Sequence, residues 1–394
     1  MKKILIANVG STSYKNKLFQ ISDSGECVEL FKSGAERVVD FESAIRESLC
    51  ELENSGFALS EIDAVAFKTV LGKDKSGLLE ADDSVLKALE DMSFVAPAHN
   101  PPYAAAIRAF AKILPNSRRI VLFETSFYRW SQPEWQRYAV PQTWHDAGIR
   151  RNGFHGASHK YAAERAAELC GRNDAALSAK MLYVRNGRAI LEKPFRLVNC
   201  HIGGSSSVCG ILNGAAIGAS MGFSPQSGLP QNNRVGDLDS MAIPYAMHTL
   251  GIDATEALRQ LSKEGGLFGI SGVSNDARDI EEAAANGNER ASLALSVLAY
   301  SARGYIGNFA AHLGGLDAIS FSGGIGENSA KTRLDILKPL EFMGVKINSD
   351  KNSACVGKRE GIISADDSKI KVAVICANEE IVIAREAAKY LNNK

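Results

Sequence analysis

The sequence predicts an α/β protein made of two related domains, and three observations carry that expectation. The first is a strand–turn–strand unit at the start of the chain. The apolar run Ile4-Leu5-Ile6 leads into the turn Asn8-Val9-Gly10-Ser11-Thr12-Ser13-Tyr14-Lys15, and Leu18-Phe19-Gln20-Ile21 returns beside it. The second is a repeat of that pattern nearly half the chain later, where Leu197 to His201 and Val208 to Ile211 flank the turn Ile202 to Ser207. The third is length: 394 residues are more than one ordinary core organises. A turn dense in glycine and hydroxyls gathers backbone N–H groups at one point, and with Lys15 the first turn suits a phosphate group. Either turn alone reads equally as a hairpin with a polar tip. The pair points to a duplicated domain that holds a nucleotide's phosphates in the cleft between its halves. Neither turn is a P-loop, because no Gly-Lys-Ser/Thr follows at the required spacing.

Composition narrows the class. Lysine plus arginine equals aspartate plus glutamate, 45 of each, so no net charge draws the chain to nucleic acid or to an anionic membrane. Hydrophobic residues make up 45% and charged residues 23%, which fits a soluble protein with a substantial interior. No uncharged run reaches membrane-spanning length, and the chain enters a strand directly after Lys2 and Lys3. The seven cysteines are scattered without a Cys-x-x-Cys, which reads as reduced thiols in a cytoplasm.

In chain order, Asp40 caps a helix whose apolar positions run from Phe41 to Leu52 on one face. Ile62 to Phe67 is a strand that delivers Lys68 at its end, where ligands of parallel sheets gather; a solvated lysine is the plainer alternative. Val85, Leu86, Leu89 and Met92 mark an amphipathic helix. The three prolines of Ala96-Pro97-Ala98-His99-Asn100-Pro101-Pro102 predict a constrained loop before a helix that starts at Tyr103. Ile120 to Phe123 is a strand ending in Glu124, a magnesium or water partner or else a helix cap. An aromatic stretch with Trp130, Trp135, Tyr138 and Trp144 suits a subunit contact or a cleft lining. Gly153 to His159 leads into a helix capped by Ser158. Its histidines lie four apart without the glutamate of a His-Glu-x-x-His zinc site, so a metal pair is the minority reading.

In the second half, Arg234 sits in a loop beside Gly236 and Asp237, a guanidinium that could face a phosphoryl group or solvent. Asp276 caps a helix that contains Arg278. Residues 288–313 read as one long helix with apolar residues spread around it, which predicts burial on more than one side. Ala318 to Phe321 is a buried strand running into Ser322-Gly323-Gly324-Ile325-Gly326-Glu327-Asn328. A strand, a glycine turn and a helix start let backbone approach a nucleotide. The chain closes with the strand Val372 to Ile375, Asn378-Glu379-Glu380, and a helix burying Ile381, Ile383, Ala384 and Tyr390.

Together these stretches resemble the acetate kinase family, short-chain carboxylate kinases of the sugar kinase/actin/Hsp70 superfold. The match runs almost end to end, through Asn8 to Lys15, Ala96 to Pro101, Phe154 to His159, Met221 to Asp237, Gly269 to Asp279, Gly323 to Asn328 and Asn378 to Arg385. The resemblance implies duplicated actin-like, ribonuclease H-like βββαβαβα domains with a nucleotide cleft. Residues 1–150 plus 379–394 would form an acid-binding domain and 151–378 a nucleotide-binding one. It implies a homodimer, Mg²⁺, and reversible transfer of the ATP γ-phosphoryl group to a small carboxylic acid. By position, Asn8, Ser11, Ser13 and Lys15 match the first phosphate loop, and His201, Gly203 and Gly204 the second. His99, His155 and Arg234 match residues that support the transferring phosphoryl group, and Asp276, Arg278, Gly324 and Ile325 match the nucleoside pocket. Asn8 and Glu379 match the magnesium-linked positions. Val70, Ala98, Phe154 and Pro225 match the walls of the acyl pocket.

Four positions depart from the family pattern. Lys68 replaces the arginine that faces the acid's carboxylate, and Glu124 replaces an aspartate. Gly204 removes an asparagine side chain of the second phosphate loop, and Gly218 removes an aspartate. Lysine keeps the charge but loses arginine's planar fork. These departures leave two further readings: a phosphotransferase with pyrophosphate or another donor, or a nucleotide-binding homologue with little turnover.

Overall fold

The computed structural model describes residues 1–10, 13–23, 25–97 and 99–392; of the residues named above, Ser11, Thr12 and Ala98 lie outside this set. The chain divides into two compact units, Met1–Arg129 with Asn378–Lys394, and Trp130–Ala377.

The first unit is built on a six-stranded sheet. Its strands are β1 (Lys2–Val9), β2 (Ser13–Ile21), β3 (Cys27–Glu36), β4 (Ala64–Thr69), β5 (Leu78–Glu80) and β6 (Arg118–Phe123), in the spatial order β3-β2-β1-β4-β6-β5. β1 to β3 form an antiparallel meander, β4 and β6 run parallel to β1, and β5 returns antiparallel at the edge. The second unit repeats this plan with β7 (Arg196–His201), β8 (Ser207–Leu212), β9 (Ala215–Ala219), β10 (Ala318–Ser322), β11 (Gly361–Ile362) and β12 (Lys371–Val374). Their order, β9-β8-β7-β10-β12-β11, has the same strand directions. The duplication expected from the two hairpins is present, and the fold is the expected α/β one.

Apolar runs became the central strands for a physical reason. Ile4, Leu5 and Ile6 of β1, and Leu197 and Val198 of β7, are buried on both sheet faces, as parallel strands between helices require. Asp40 caps the helix Phe41–Asn54 by accepting from the Glu42 N–H, and Ala44, Ile45, Leu49 and Leu52 face the core.

Four local expectations are corrected. The helix expected from Tyr103 begins at Asn100 (Asn100–Ile113), with Pro101 and Pro102 in its first turn. Proline's missing N–H costs nothing there, because first-turn N–H groups have no intrahelical partner. Ser158 is not a cap: the helix Gly156–Leu169 starts two residues earlier, and His155 precedes it in the left-handed conformation (φ 57°, ψ 30°). The long helix Glu289–Leu313 is present and capped by Asn288, but Leu293 and Tyr300 are exposed rather than buried. In the closing helix Glu379–Asn392 it is Val382, Ile383, Ala384, Ala387 and Ala388 that face inward, while Ile381 and Tyr390 are half-buried. The aromatic stretch covers the edge of β9, where Trp135 Nε1 donates to the Ala219 carbonyl at 3.3 Å and the Tyr138 hydroxyl accepts from the Phe223 N–H at 2.9 Å. Among the described residues no helix is long and apolar enough to cross a membrane.

Candidate active site

In the first unit, Asn8, Lys68 and Glu124 lie at the carboxyl ends of β1, β4 and β6, where the parallel sheet directs its ligands. Glu379 joins them from the first turn of the closing helix. The Lys68 ammonium lies 2.9 Å from Glu379 Oε1 and 3.3 Å from Glu124 Oε1, so one cation bridges two carboxylates. Burial pulls the Lys68 pKa down, but Glu379 and then Glu124 outweigh it and hold the group protonated well above its ordinary value. The buried Tyr103 hydroxyl donates to Asn8 Oδ1 at 3.3 Å and accepts from the Val9 N–H at 3.4 Å. Burial, eased by the Lys68 charge, raises its pKa to about 12, so it remains a donor.

Other first-unit candidates lie apart from this group or beside it. Lys15 is opposite Asn8 in the β1–β2 pairing, but its side chain forms an exposed ion pair with Glu36 at 2.9 Å. Ser13 opens β2, and its carbonyl accepts from the Gly10 N–H. His99 occupies the residue before the helix Asn100–Ile113, and Val70 is buried just past β4.

In the second unit the loops after β7 and β10 meet. The amides of Ile325 and Gly326 both donate to the Ile202 carbonyl at 2.9 Å, and a Cβ on Gly203 would lie 3.4 Å from the Gly324 nitrogen. Gly323 has φ 78° and lies so close that an added Cβ would fall 2.8 Å from the Ile202 carbonyl oxygen, so glycine is needed there. Arg234 reaches the turn after β7: its Nη1 donates to Ser205 Oγ at 3.3 Å and to Gln231 Oε1 at 3.1 Å. Among the described residues no carboxylate pairs with it, and burial lowers its pKa from the ordinary arginine value. A half-buried guanidinium steadied by neutral oxygens retains its charge for an incoming anion.

Three histidines gather beside this loop. The His155 and His201 rings are 4.5 Å apart, centre to centre, and His159 lies 6.3 Å from His155. Ser158 Oγ contacts His201 Nδ1 at 2.8 Å. His155 is held in a backbone conformation that residues other than glycine seldom adopt, a cost that folds tolerate chiefly at functional positions. Phe154 is buried next to it, and Pro225 is half-buried, its carbonyl accepting from Gln231 Nε2 at 2.7 Å. Asp276 caps the helix Ala277–Ala285 and pairs with the well-exposed Arg278 at 2.5 Å, an arrangement open to solvent. That helix reaches the turn after Asn328 through Ser329 Oγ and Glu281 Oε1, which places Asp276 and Arg278 on an element that adjoins the Gly323–Asn328 loop.

The departures from the family pattern also find neighbours. A Cβ on Gly218 would fall 2.5 Å from Trp135 Cδ1, so the indole occupies the space of the missing aspartate. A Cβ on Gly204 would lie 3.4 Å from Asn232 Nδ2, so a carboxamide is present beside the glycine although it comes from another loop. Sequence reasoning missed Gln231, Asn232, Asn199 and Ser207. All four lay inside segments already singled out, but nothing in the sequence marked their partners.

No group of three or more His, Cys, Asp or Glu side chains is placed to bind a metal by itself among the described residues. Asn8 Oδ1 and the Glu379 carboxylate are hard oxygen donors, and Mg²⁺ commonly takes one or two such ligands with phosphate oxygens and water completing its shell. The donor set therefore fits Mg²⁺ that arrives with a nucleotide.

A sequence model of the Acetokinase family matches residues 32–192 and 188–385. The chain is 38% identical to an acetate kinase of Bacillus subtilis (strain 168), covering 99% of both, and 37% identical to one of Geobacillus sp. (strain WCH70), covering all of both. Among solved structures, Porphyromonas gingivalis acetate kinase superposes with a TM-score of 0.86 at 32% identity, over 99% of this chain and 100% of that one. A propionate kinase from Francisella tularensis superposes with a TM-score of 0.83 at 28% identity, over 98% and 99%.

Proposed function

The chain belongs to the acetokinase family, and from that premise we propose that it reversibly transfers the γ-phosphoryl group of ATP to a short-chain carboxylate, giving an acyl phosphate. The observation that carries this reading is Arg234, a half-buried cation without a carboxylate partner, fixed against the glycine- and serine-rich turn after β7.

The acid's carboxylate is ionised at neutral pH and needs no general base, so catalysis rests on alignment and on neutralising charge at the transferring group. Arg234 supplies fixed positive charge and His155 supplies hydrogen bonds to the phosphoryl oxygens, and the resemblance matches His99 to the same role. The turn at Gly203 and Gly204, with Gly324 and His201, would hold the nucleotide's phosphates, and Asp276, Arg278 and Ile325 the nucleoside. Asn8 and Glu379 would hold Mg²⁺, which shields the phosphate charge when bound. Ser13 and Lys15 would support the first phosphate loop. Lys68 spends two of its three N–H donors on Glu379 and Glu124, and the third orients the incoming carboxylate. Val70, Phe154 and Pro225, with Ala98, would line the acyl chain. In this reading Met1–Arg129 with the closing helix handles the acid, and Trp130–Ala377 handles the nucleotide.

The test is hydroxylamine trapping of acyl phosphate with acetate, propionate and butyrate, using ATP or pyrophosphate as donor. ATP-dependent hydroxamate is expected. Product from pyrophosphate alone would move the chain to another donor, and none from either donor would make it a non-catalytic homologue. The homodimer implied by the resemblance would cover the apolar helix Ala242–Leu250, of which no residue is buried. A monomer in light scattering would remove that assignment.

A further inference from the structure

The histidine cluster beside the turn after β7 is wired to the interior of the second unit's sheet. The Ser320 hydroxyl donates to Asn199 Oδ1 at 2.7 Å. Asn199 Nδ2 lies 2.8 Å from His159 Nδ1 and 3.4 Å from Ser322 Oγ. His159 Nε2 lies 2.8 Å from Ser207 Oγ, and Ser207 Oγ lies 2.8 Å from His155 Nδ1. The three residues between Ser320 and His155, namely Asn199, His159 and Ser207, are fully buried, so water does not complete these contacts.

The protons can be assigned in sequence. With the Asn199 amide nitrogen toward His159, both of its N–H groups meet acceptors and its oxygen takes the Ser320 proton. The flipped amide would leave one N–H without an acceptor inside the sheet, a cost of buried polar groups that folds avoid. The Asn199 N–H therefore donates to His159 Nδ1. His159 is fully buried and neutral, because burial and then the neighbouring His201 push its pKa well below the ordinary value. Its single proton must be on Nε2, and it donates to Ser207 Oγ. The Ser207 hydroxyl then turns its own proton to His155 Nδ1. Since Nδ1 of His155 accepts, the neutral His155 ring carries its proton on Nε2.

We propose that Asn199, His159 and Ser207 form a proton-orienting relay that fixes His155 as the Nε2–H tautomer, which makes it a hydrogen-bond donor rather than a base. Asn199 and Ser207 are positioning residues: they act through His155 and need not touch substrate. The arrangement rests on the kinase reading only for what His155 then donates to. A donor at that atom suits a transferring phosphoryl group, and a base there would serve no purpose toward an ionised carboxylate.

Reversing the relay at its origin tests it. In Asn199→Asp the carboxylate can only accept, so His159 must present Nδ1–H, Ser207 must donate back to His159 Nε2, and His155 must carry its proton on Nδ1. Asn199→Thr keeps a donor toward His159 and an acceptor toward Ser320, and its β-branched side chain suits a strand. Long-range ¹H–¹⁵N correlation spectra of the full chain labelled at histidine read each ring's tautomer without reference to activity. The expected result is Nε2–H at His155 in the wild type and Asn199→Thr, and Nδ1–H or a doubly protonated ring in Asn199→Asp. With ATP and acid, kcat of Asn199→Asp should fall about 10²-fold, as when a positioned transition-state donor is lost, with the KM for ATP nearly unchanged. Should Asn199→Asp not fold, Ser207→Ala cuts the last link, and His155 should then populate both tautomers. Nδ1–H at His155 in the wild type, or a tautomer indifferent to both Asn199→Asp and Ser207→Ala, overturns the relay. Wild-type turnover in His155→Ala with the tautomer pattern intact would overturn the kinase role of His155 instead.

Discussion

The bridge Glu379–Lys68–Glu124 makes a quantitative prediction about two of the departures. Relative to the family pattern, lysine is the shorter cation and Glu124 the longer acid, by one methylene or about 1.5 Å. Contact at 3.3 Å shows that the longer acid reaches the shorter cation, which is what a compensated pair requires. In an effective dielectric of about 20, a unit pair at that distance interacts by ~5 kcal/mol, and withdrawing the carboxylate by one methylene lowers this to ~3.5 kcal/mol. Glu124→Asp alone should therefore destabilise the first unit by roughly 1.5 kcal/mol, while Glu379 keeps the ammonium paired. Adding Lys68→Arg should return most of that loss, giving a coupling energy of about 1 kcal/mol or more in the double-mutant cycle, as expected for residues in contact. Native-state hydrogen exchange of the β4 amides reads the stability of this unit without assuming that the whole chain unfolds in one step. Hydroxamate kcat/KM on the same four proteins reads the site. Strictly additive effects in both measurements would refute compensation.

Other outcomes are expected from the same geometry. Arg234→Ala should lower kcat by about 10²-fold or more with little change in Tm, since among the described residues its guanidinium hydrogen-bonds Ser205 and Gln231, both neutral; wild-type turnover would remove it from the site. The neutral, buried His159 makes stability depend on pH. The unfolded ring takes up a proton near pH 6.5 while the folded one does not, so stability is full above that pH and declines below it. The slope is at most ~1.4 kcal/mol per pH unit for one proton. Because His155 and His201 lie alongside, the reading is the difference in urea unfolding between wild type and His159→Gln at pH 7, 6 and 5; equal slopes would contradict it. Ala98 lies outside the described residues, but the resemblance puts a leucine there, and three fewer carbons favour a longer acyl chain by ~0.8 kcal/mol per buried methylene. Propionate or a larger acid should exceed acetate in kcat/KM, and Ala98→Leu should restore acetate; unchanged selectivity in that variant would sink the argument.

What could be read from the sequence was local. The two hairpins announced themselves because strand, glycine-rich turn and strand occupy adjacent residues, and the caps at Asp40 and Asp276 are signals of one residue type at one boundary. The prolines before Tyr103 misled because the rule against proline applies to helix interiors, and these sit in a first turn. Ser158 misled because a left-handed residue can start a helix without a side-chain cap, and the histidine in that role carries no sequence mark. Lys68 and Glu379 could not be paired by spacing, since they are 311 residues apart. Asn199 and Ser207 were invisible for another reason: on a buried strand a polar side chain looks the same whether it completes the sheet's packing or sets a proton, and only its partners tell.

The lost side chains at Gly218 and Gly204 show how far a departure can be judged from sequence. Each glycine taken alone is a deletion of chemistry. In the structure Gly218 is instead the space into which Trp135 fits, and restoring an aspartate there would require moving an indole that also donates to the Ala219 carbonyl. The substitution is thus bound to a residue 83 positions away in numbering, and the family's aspartate cannot return by itself. At Gly204 the position stays open: an added Cβ would only touch Asn232, whose backbone N–H already donates to the Gly204 carbonyl at 3.2 Å. The Asn232 carboxamide donates to the Asn275 carbonyl, so a side chain restored at Gly204 would meet an amide already committed to another loop.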